Sequence, residues 1–233
     1  RGSLKRLEIG SILSPAELIR ICKMLEVCSR VKAYSRREND EAEQDALDVM
    51  FSVLQPLTPL ASEIRRCMPS EDEIADDASP TLKSIRRAMH QMNDKIHAQL
   101  ASMVNGSART YLQDAVITMR NGRYCLPVKA EHRSQVAGMI HDQSSTGSTI
   151  FIEPMAVIKL NNELRELELK EEKEIEVILA DLSSKAAAQQ EALTGDLEIL
   201  TQLDFIFARA QLSRSYNGSE PVLNEKGIIN IKK

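Results

Sequence analysis

The chain has 233 residues, 42% of them hydrophobic, which is enough to bury a sizeable core and excludes disorder of the whole chain. A formal net charge of −4 excludes a global positive field that would draw it onto a polyanion, so any such contact has to come from a local patch. Tryptophan is absent and aromatic residues make up 3%, while Leu, Ala, Glu, Lys and Arg recur, a composition that argues for long helices and against a sandwich or barrel.

Arg1-Gly2-Ser3 reads as a cloning remnant. Ser14-Pro15-Ala16-Glu17 places an N-cap serine, a proline at the first helical position and a glutamate suited to a capping box, and apolar residues from Ile19 to Val31 carry that helix to about Ser35. A polar run over residues 36–43 follows. Ala46 to Leu54 predicts a shorter helix ended by Gln55-Pro56, and Leu60 to Cys67 another one before Pro69. Residues 1–78 thus read as a helical platform.

Ser79-Pro80 repeats the cap-plus-proline start. Leu82, Ile85, Met89, Met92, Ile96, Leu100 and Met103 form one apolar stripe, which predicts an ascending helix over residues 79–112, ordered to about Tyr111. The period changes in residues 113–153. Asn121-Gly122 stands between the runs Val116 to Met119 and Tyr124 to Val128, the pattern of a tight hairpin. Gly138 to His141 and Ser148 to Ile152 make a second pair around the polar loop Asp142 to Gly147, so four antiparallel strands are expected.

Glu153-Pro154 opens the longest predicted helix, with Leu160, Leu164, Leu167, Ile175, Ile178 and Leu182 on its stripe and Glu171 interrupting it. The spacing is close to an eleven-residue repeat and so nearly straight. Between Lys159 and Leu182 eight acidic residues face four basic ones, which reads as a solvated face with pairs such as Glu166-Lys170. Gly195 is the expected bend, after which a stripe from Leu197 to Leu212 returns the chain over residues 154–217. Neither long helix buries its stripe alone, so the two should run antiparallel. Residues 218–233 read as a linker into an unpaired strand near Ile228, in a chain that stops inside a longer protein. The fold class is mainly α: a helical core and an antiparallel pair of lever helices carrying a small antiparallel β tip.

Little here points to catalysis. No glycine precedes a lysine with the spacing of a phosphate-binding loop, and Cys22, Cys28, Cys67 and Cys125 lack metal or redox spacing and read as reduced cytosolic thiols. His132 beside Glu131 and His141 beside Asp142 suggest a base with its carboxylate, but adjacent strand residues point to opposite faces. No stretch approaches the roughly 20 apolar residues that span a bilayer. The tip is different: Arg109, Arg120, Arg123, Lys129 and Arg133 outnumber Asp114, Glu131 and Asp142. Arg120, Arg123, Lys129 and Arg133 suit phosphate contacts, Tyr124 suits stacking, and Ser144 and Ser145 in the hydroxyl-rich loop suit a phosphate. On charge alone an ordinary solvated hairpin fits equally well.

The strings running from Arg120 to Lys129, from Gly138 to Pro154 and from Leu160 to Glu166 closely resemble the second bacterial MutS paralogue, the type linked to recombination control and ribosome rescue. The resemblance covers essentially the whole chain. It implies the core, lever and clamp of a bacterial cytoplasmic ATPase, without the mismatch-reading domain of the repair proteins. ATP, magnesium, the Walker motifs and a small nuclease domain are expected beyond Lys233, leaving these residues without a cofactor and without catalysis of their own. The implied partners are branched DNA, ribosomal RNA, or both, and a second copy of the chain, with no membrane. The rival reading is a helical scaffold whose β tip docks a protein.

Overall fold

The helix starts are set by local chemistry. Ser79 Oγ accepts the Leu82 N–H at 2.9 Å while Pro80, with no N–H to satisfy, occupies the first turn. In the computed structural model, which describes residues 2–35, 46–218 and 225, the helices are α1 (Gly2–Glu8), α2 (Pro15–Ser35), α3 (Ala46–Val53), α4 (Thr58–Cys67), α5 (Pro80–Asn105), α6 (Met155–Ala187) and α7 (Gln190–Ser215). Four strands, β1 (Thr118–Arg120), β2 (Arg123–Lys129), β3 (Gly138–Gln143) and β4 (Thr149–Pro154), lie between α5 and α6. The architecture is mainly α with one small antiparallel sheet.

Gly2 and Ser3 belong to α1, and Ser3 Oγ donates to Glu17 at 3.2 Å. Two expectations change. The first long helix stops at Asn105, because Gly106 takes an extended conformation and a 3₁₀ segment, Ser107–Tyr111, follows. Gly195 does not bend its helix. The break lies at Ala188-Gln189, where the Gln189 N–H turns back to the Ala186 carbonyl at 3.0 Å, and Gly195 sits inside α7. The expected strand near Ile228 lies outside the described residues.

The chain divides into two compact units: residues 1–13, 17–63 and 183–233, and residues 14–16 and 64–182. In the first, Cys28, Phe51, Leu54 and Leu203 bury a cluster edged by Val31, Ile199 and Leu200. Lys32 Nζ closes the end of α3 by donating to the Leu54 carbonyl at 2.5 Å, and Asp196, 2% exposed, accepts the Gln55 N–H at 2.8 Å.

In the second unit α5 and α6 run antiparallel. Ser79 Oγ donates to Glu174 at 2.6 Å and Arg86 Nε to Glu171 at 2.7 Å near the start of α5, while Ile96, Leu100 and Val104 share a core with Val157 and Leu164. Glu171, which interrupts the apolar stripe of α6, is there to hold Arg86. Outward ion pairs of α6 include Lys159–Glu163 and Arg165–Glu168, and among the described residues Glu166 and Lys170 form none.

The sheet order is β1-β2-β4-β3, every pair antiparallel. Leu126 and Val128 of β2, opposite Ile152 and Ile150 of β4, face the helices and complete that core. Asn121 at φ 52° and Gly122 at φ 72° make the two-residue β1-β2 turn, the left-handed pair that matches strand twist. Gly138 is required for a different reason, since a Cβ there would collide with the Glu153 carbonyl oxygen.

Candidate nucleic-acid interface

β2 rises about 20 Å over its length at 3.3 Å per residue, and the residues singled out from sequence fall at its two ends. Arg120, Arg123 and Tyr124 are at the start. Lys129 is at the finish, joined by Arg133 on the 3₁₀ segment Ala130–Gln135 and by Ser144 and Ser145 in the β3-β4 turn.

The first end is a closed polar network. Glu153 is 0% exposed at the end of β4, between apolar Ile152 and Pro154. Arg123 Nη2 donates to its Oε1 at 2.5 Å and Arg123 Nε to its Oε2 at 3.1 Å, while Asn161 Nδ2 reaches Oε1 at 2.8 Å and His141 Nε2 lies 2.6 Å from Oε2. Burial alone would push this carboxyl up, but the hydrogen bonds from Arg123, Asn161 and His141 outweigh it and hold Glu153 below the usual carboxylate range. His141 reaches inward because it is the extra residue of a β-bulge between Ile140 and Asp142. Asn161 also exchanges hydrogen bonds with both backbone groups of Tyr124. Continuing the β2-β4 register brings Pro154, which has no N–H, opposite Tyr124, and the Asn161 side chain stands in for the missing strand partner.

Little at this end is left to face a ligand. The Tyr124 hydroxyl donates to Asn93 at 2.9 Å, and its ring meets His97 edge-on at 4.9 Å. Arg120 pairs with Asp142 at 3.2 Å and lies 3.9 Å over the Phe151 ring. The Cys125 thiol, opposite Glu153, is pushed up to about 11 by burial and then by the neighbouring carboxylate, so it is a poor nucleophile.

The other end is open. Lys129 Nζ donates to the Thr110 carbonyl at 3.4 Å, which ties it to the segment that carries exposed Arg109. Arg133 is exposed, and the Tyr111 and His132 rings meet at 5.4 Å between the two 3₁₀ segments. Among the described residues, Arg109, Lys129 and Arg133 form no ion pair, and the neighbouring Glu131 lies 3.5 Å from His132 Nε2. The β3-β4 turn adjoins them through the Ala130 N–H, which donates to the Ser148 carbonyl at 3.0 Å. Ser144 Oγ caps the turn by accepting the Thr149 N–H at 3.0 Å, Gly147 takes φ 74°, and Ser145 is exposed. No three His, Cys, Asp or Glu side chains of the described residues gather as a metal site.

Sequence reasoning counted Arg109 among the basic residues of the tip but left it out of the phosphate-contacting set, and it missed Glu153, Asn161 and His141 as a hub. A glutamate directly after Ile150-Phe151-Ile152 and before a proline was the available signal, because a carboxylate in an apolar strand needs partners.

Fold and site together define a helix-borne β module: two antiparallel helices presenting a four-stranded sheet whose far corner is cationic. Along all 233 residues the chain is 60% identical to a protein named Endonuclease MutS2 from Agathobacter rectalis. It is 56% identical over 234 residues to the protein of that name from Lachnospira eligens, and 46% over 233 residues to that from Caldanaerobacter subterraneus. The chain spans about 29% of the length of each of these relatives. No protein-family model matches it. The chain belongs to the MutS family, as a stretch of the MutS2 type. Among the described residues no helix is long and apolar enough to cross a membrane.

Proposed function

We propose that this chain is the core, lever and clamp part of a MutS2-type protein, and that its β tip contacts the phosphate backbone of nucleic acid at the Lys129 end. The observation that carries the reading is the gathering of Arg109, Lys129 and Arg133, without ion pairs among the described residues, beside the hydroxyl-rich turn at the far corner of the sheet. Such groups position a backbone without reading sequence. The relatives are named endonucleases, and the catalytic chemistry implied by that name belongs to the remaining length of such proteins. The same holds for ATP and magnesium, and a Mg-ATP titration of the 233-residue chain should give no saturable heat. In the whole protein two copies would bring two tips to one branched DNA or ribosomal RNA, and the avidity of two weak contacts would supply the affinity that one lacks.

A photoreactive side chain placed at Ser145 tests the reading against a protein-docking tip. Crosslinks to branched DNA or to structured ribosomal RNA, with none from the same group at Met119 on β1, are the expected result. Crosslinks from Ser145 to proteins alone, with none to nucleic acid, would replace the phosphate contact by the docking scaffold.

A further inference from the structure

The two antiparallel helices of the second unit are oppositely charged. α5 carries Lys83, Arg86, Arg87 and Lys95 against Asp94 alone, whereas α6 is strongly acidic. Part of the difference is used between them, as Arg86 meets Glu171. The rest is turned outward. Lys83, Arg87 and Lys95 are exposed, and among the described residues none of them forms an ion pair. Helical geometry sets them on the side of α5 opposite its buried stripe of Leu82, Ile96 and Leu100. Outward on α6, by contrast, Glu166, Glu172 and Glu176 are exposed.

An ordinary solvated helix mixes its charges in i,i+3 and i,i+4 pairs, as α6 does. The outer face of α5 does not. Lys83 to Lys95 spans about 18 Å at 1.5 Å per residue, and beyond Lys95 the row continues as Gln99 and Ser102, which with Lys95 line a groove of about 510 Å³. It ends at Gly106, three residues before Arg109. Cations, then amide and hydroxyl donors, wind along the exposed side of the helix towards the tip, from the Lys83 flank to the Lys95 flank, with exposed Asp94 as the one acid among them and Leu160 of α6 closing the groove at its upper end.

We propose that the outer face of α5 is a second phosphate-binding surface, on which the backbone of a nucleic acid held at the tip lies along Lys83, Arg87 and Lys95. The inference rests on the nucleic-acid reading of the tip and adds its direction: the polyanion follows α5 and avoids α6. Each phosphate neutralised releases counterions, so the slope of log affinity against log salt counts contacts at about −0.9 each on duplex DNA.

The test is a salt titration of the 233-residue chain on a duplex of roughly 24 base pairs, about 80 Å long at 3.4 Å per pair, with circular dichroism confirming that every variant is folded. Three variants are compared with the wild type. In the first, Lys83→Gln, Arg87→Gln and Lys95→Gln are combined; in the second, Arg109→Gln, Lys129→Gln and Arg133→Gln; in the third, Lys170→Gln and Lys173→Gln on α6. The first two should each flatten the slope by about 2 to 3, and the third should leave it unchanged. An unchanged slope for the α5 variant beside a flattened one for the tip variant overturns the track and leaves the tip contact standing. The reverse overturns the tip and leaves the track. Equal flattening by the α6 variant would make the effect one of net charge and overturn the track, and a wild type that does not bind at low salt overturns both.

Discussion

Among the described residues each compact unit buries one carboxylate, and the two are treated in opposite ways. Glu153 receives donors on both oxygens from Arg123, Asn161 and His141, and is held below its ordinary value of 4.5. Asp196 receives the Gln55 N–H on Oδ1, while among the described residues its buried Oδ2 has no well-formed hydrogen bond; the Cys28 thiol, a weak donor, and the Lys32 charge help it only in part. Burial therefore wins at Asp196, whose carboxyl is raised above its ordinary 3.8, and it wins again at Cys28, pushed up to about 12 by burial and by Asp196. The contrast shows that the number of donors, more than the depth of burial, fixes the charge state of a buried acid. It also shows which cations are committed. Arg123 is a structural residue of the tip, and the proposed polyanion contact rests on Arg109, Lys129 and Arg133.

Breaking the satisfied site should have the largest effect. Arg123→Ala leaves Glu153 buried without its cation and should cost about 3–5 kcal/mol. Hydrogen exchange should show the loss at the amides of Leu126 and Ile152 while Leu203 in the other unit keeps its protection. Replacing both partners, Arg123→Met with Glu153→Leu, should cost less than Arg123→Ala, because no unpaired charge remains. Gly138→Ala comes next, at about 1–3 kcal/mol, since a Cβ would force β3 off the end of β4. Gly122→Val should cost about 1–2 kcal/mol through its positive φ, measured by thermal melting.

The smallest effect, and the sharpest for the contrast, is in pH. A lowered folded value means that Glu153 stabilises above the usual carboxylate range and loses that contribution as pH falls through its folded pKa. A raised value means that Asp196 contributes most below 3.8 and loses this as pH rises through its folded pKa. Between about pH 3 and 7 the amides around β2 and β4 should therefore gain protection with rising pH. Those around Asp196 should lose some, and Asp196→Asn should flatten only that second trend.

The parts of this molecule that local chemistry dictates were readable in advance. Ser79-Pro80 starts a helix and Asn121-Gly122 turns a hairpin because cap and backbone requirements act over a few residues. The helix break at Ala188-Gln189 was hidden because neither residue is a breaker, and Gly195, which is, sits quietly in α7. At the candidate site, residue types marked basic side chains at both ends of β2 without separating those engaged in the fold from those left unpaired. Whether Arg123 is free depends on Glu153, 30 positions away, and whether Arg109 joins Lys129 depends on a 3₁₀ segment that the helical stripe concealed.

The division of the tip into a structural end and a contacting end is tested most directly by two variants that alter opposite ends of β2. Salt titrations of duplex DNA binding should show that Lys129→Gln combined with Arg133→Gln flattens the slope by about 1.8, while Arg120→Gln, already paired with Asp142, leaves it as in the wild type. A slope flattened by Arg120→Gln and untouched by the Lys129 and Arg133 pair would contradict the account.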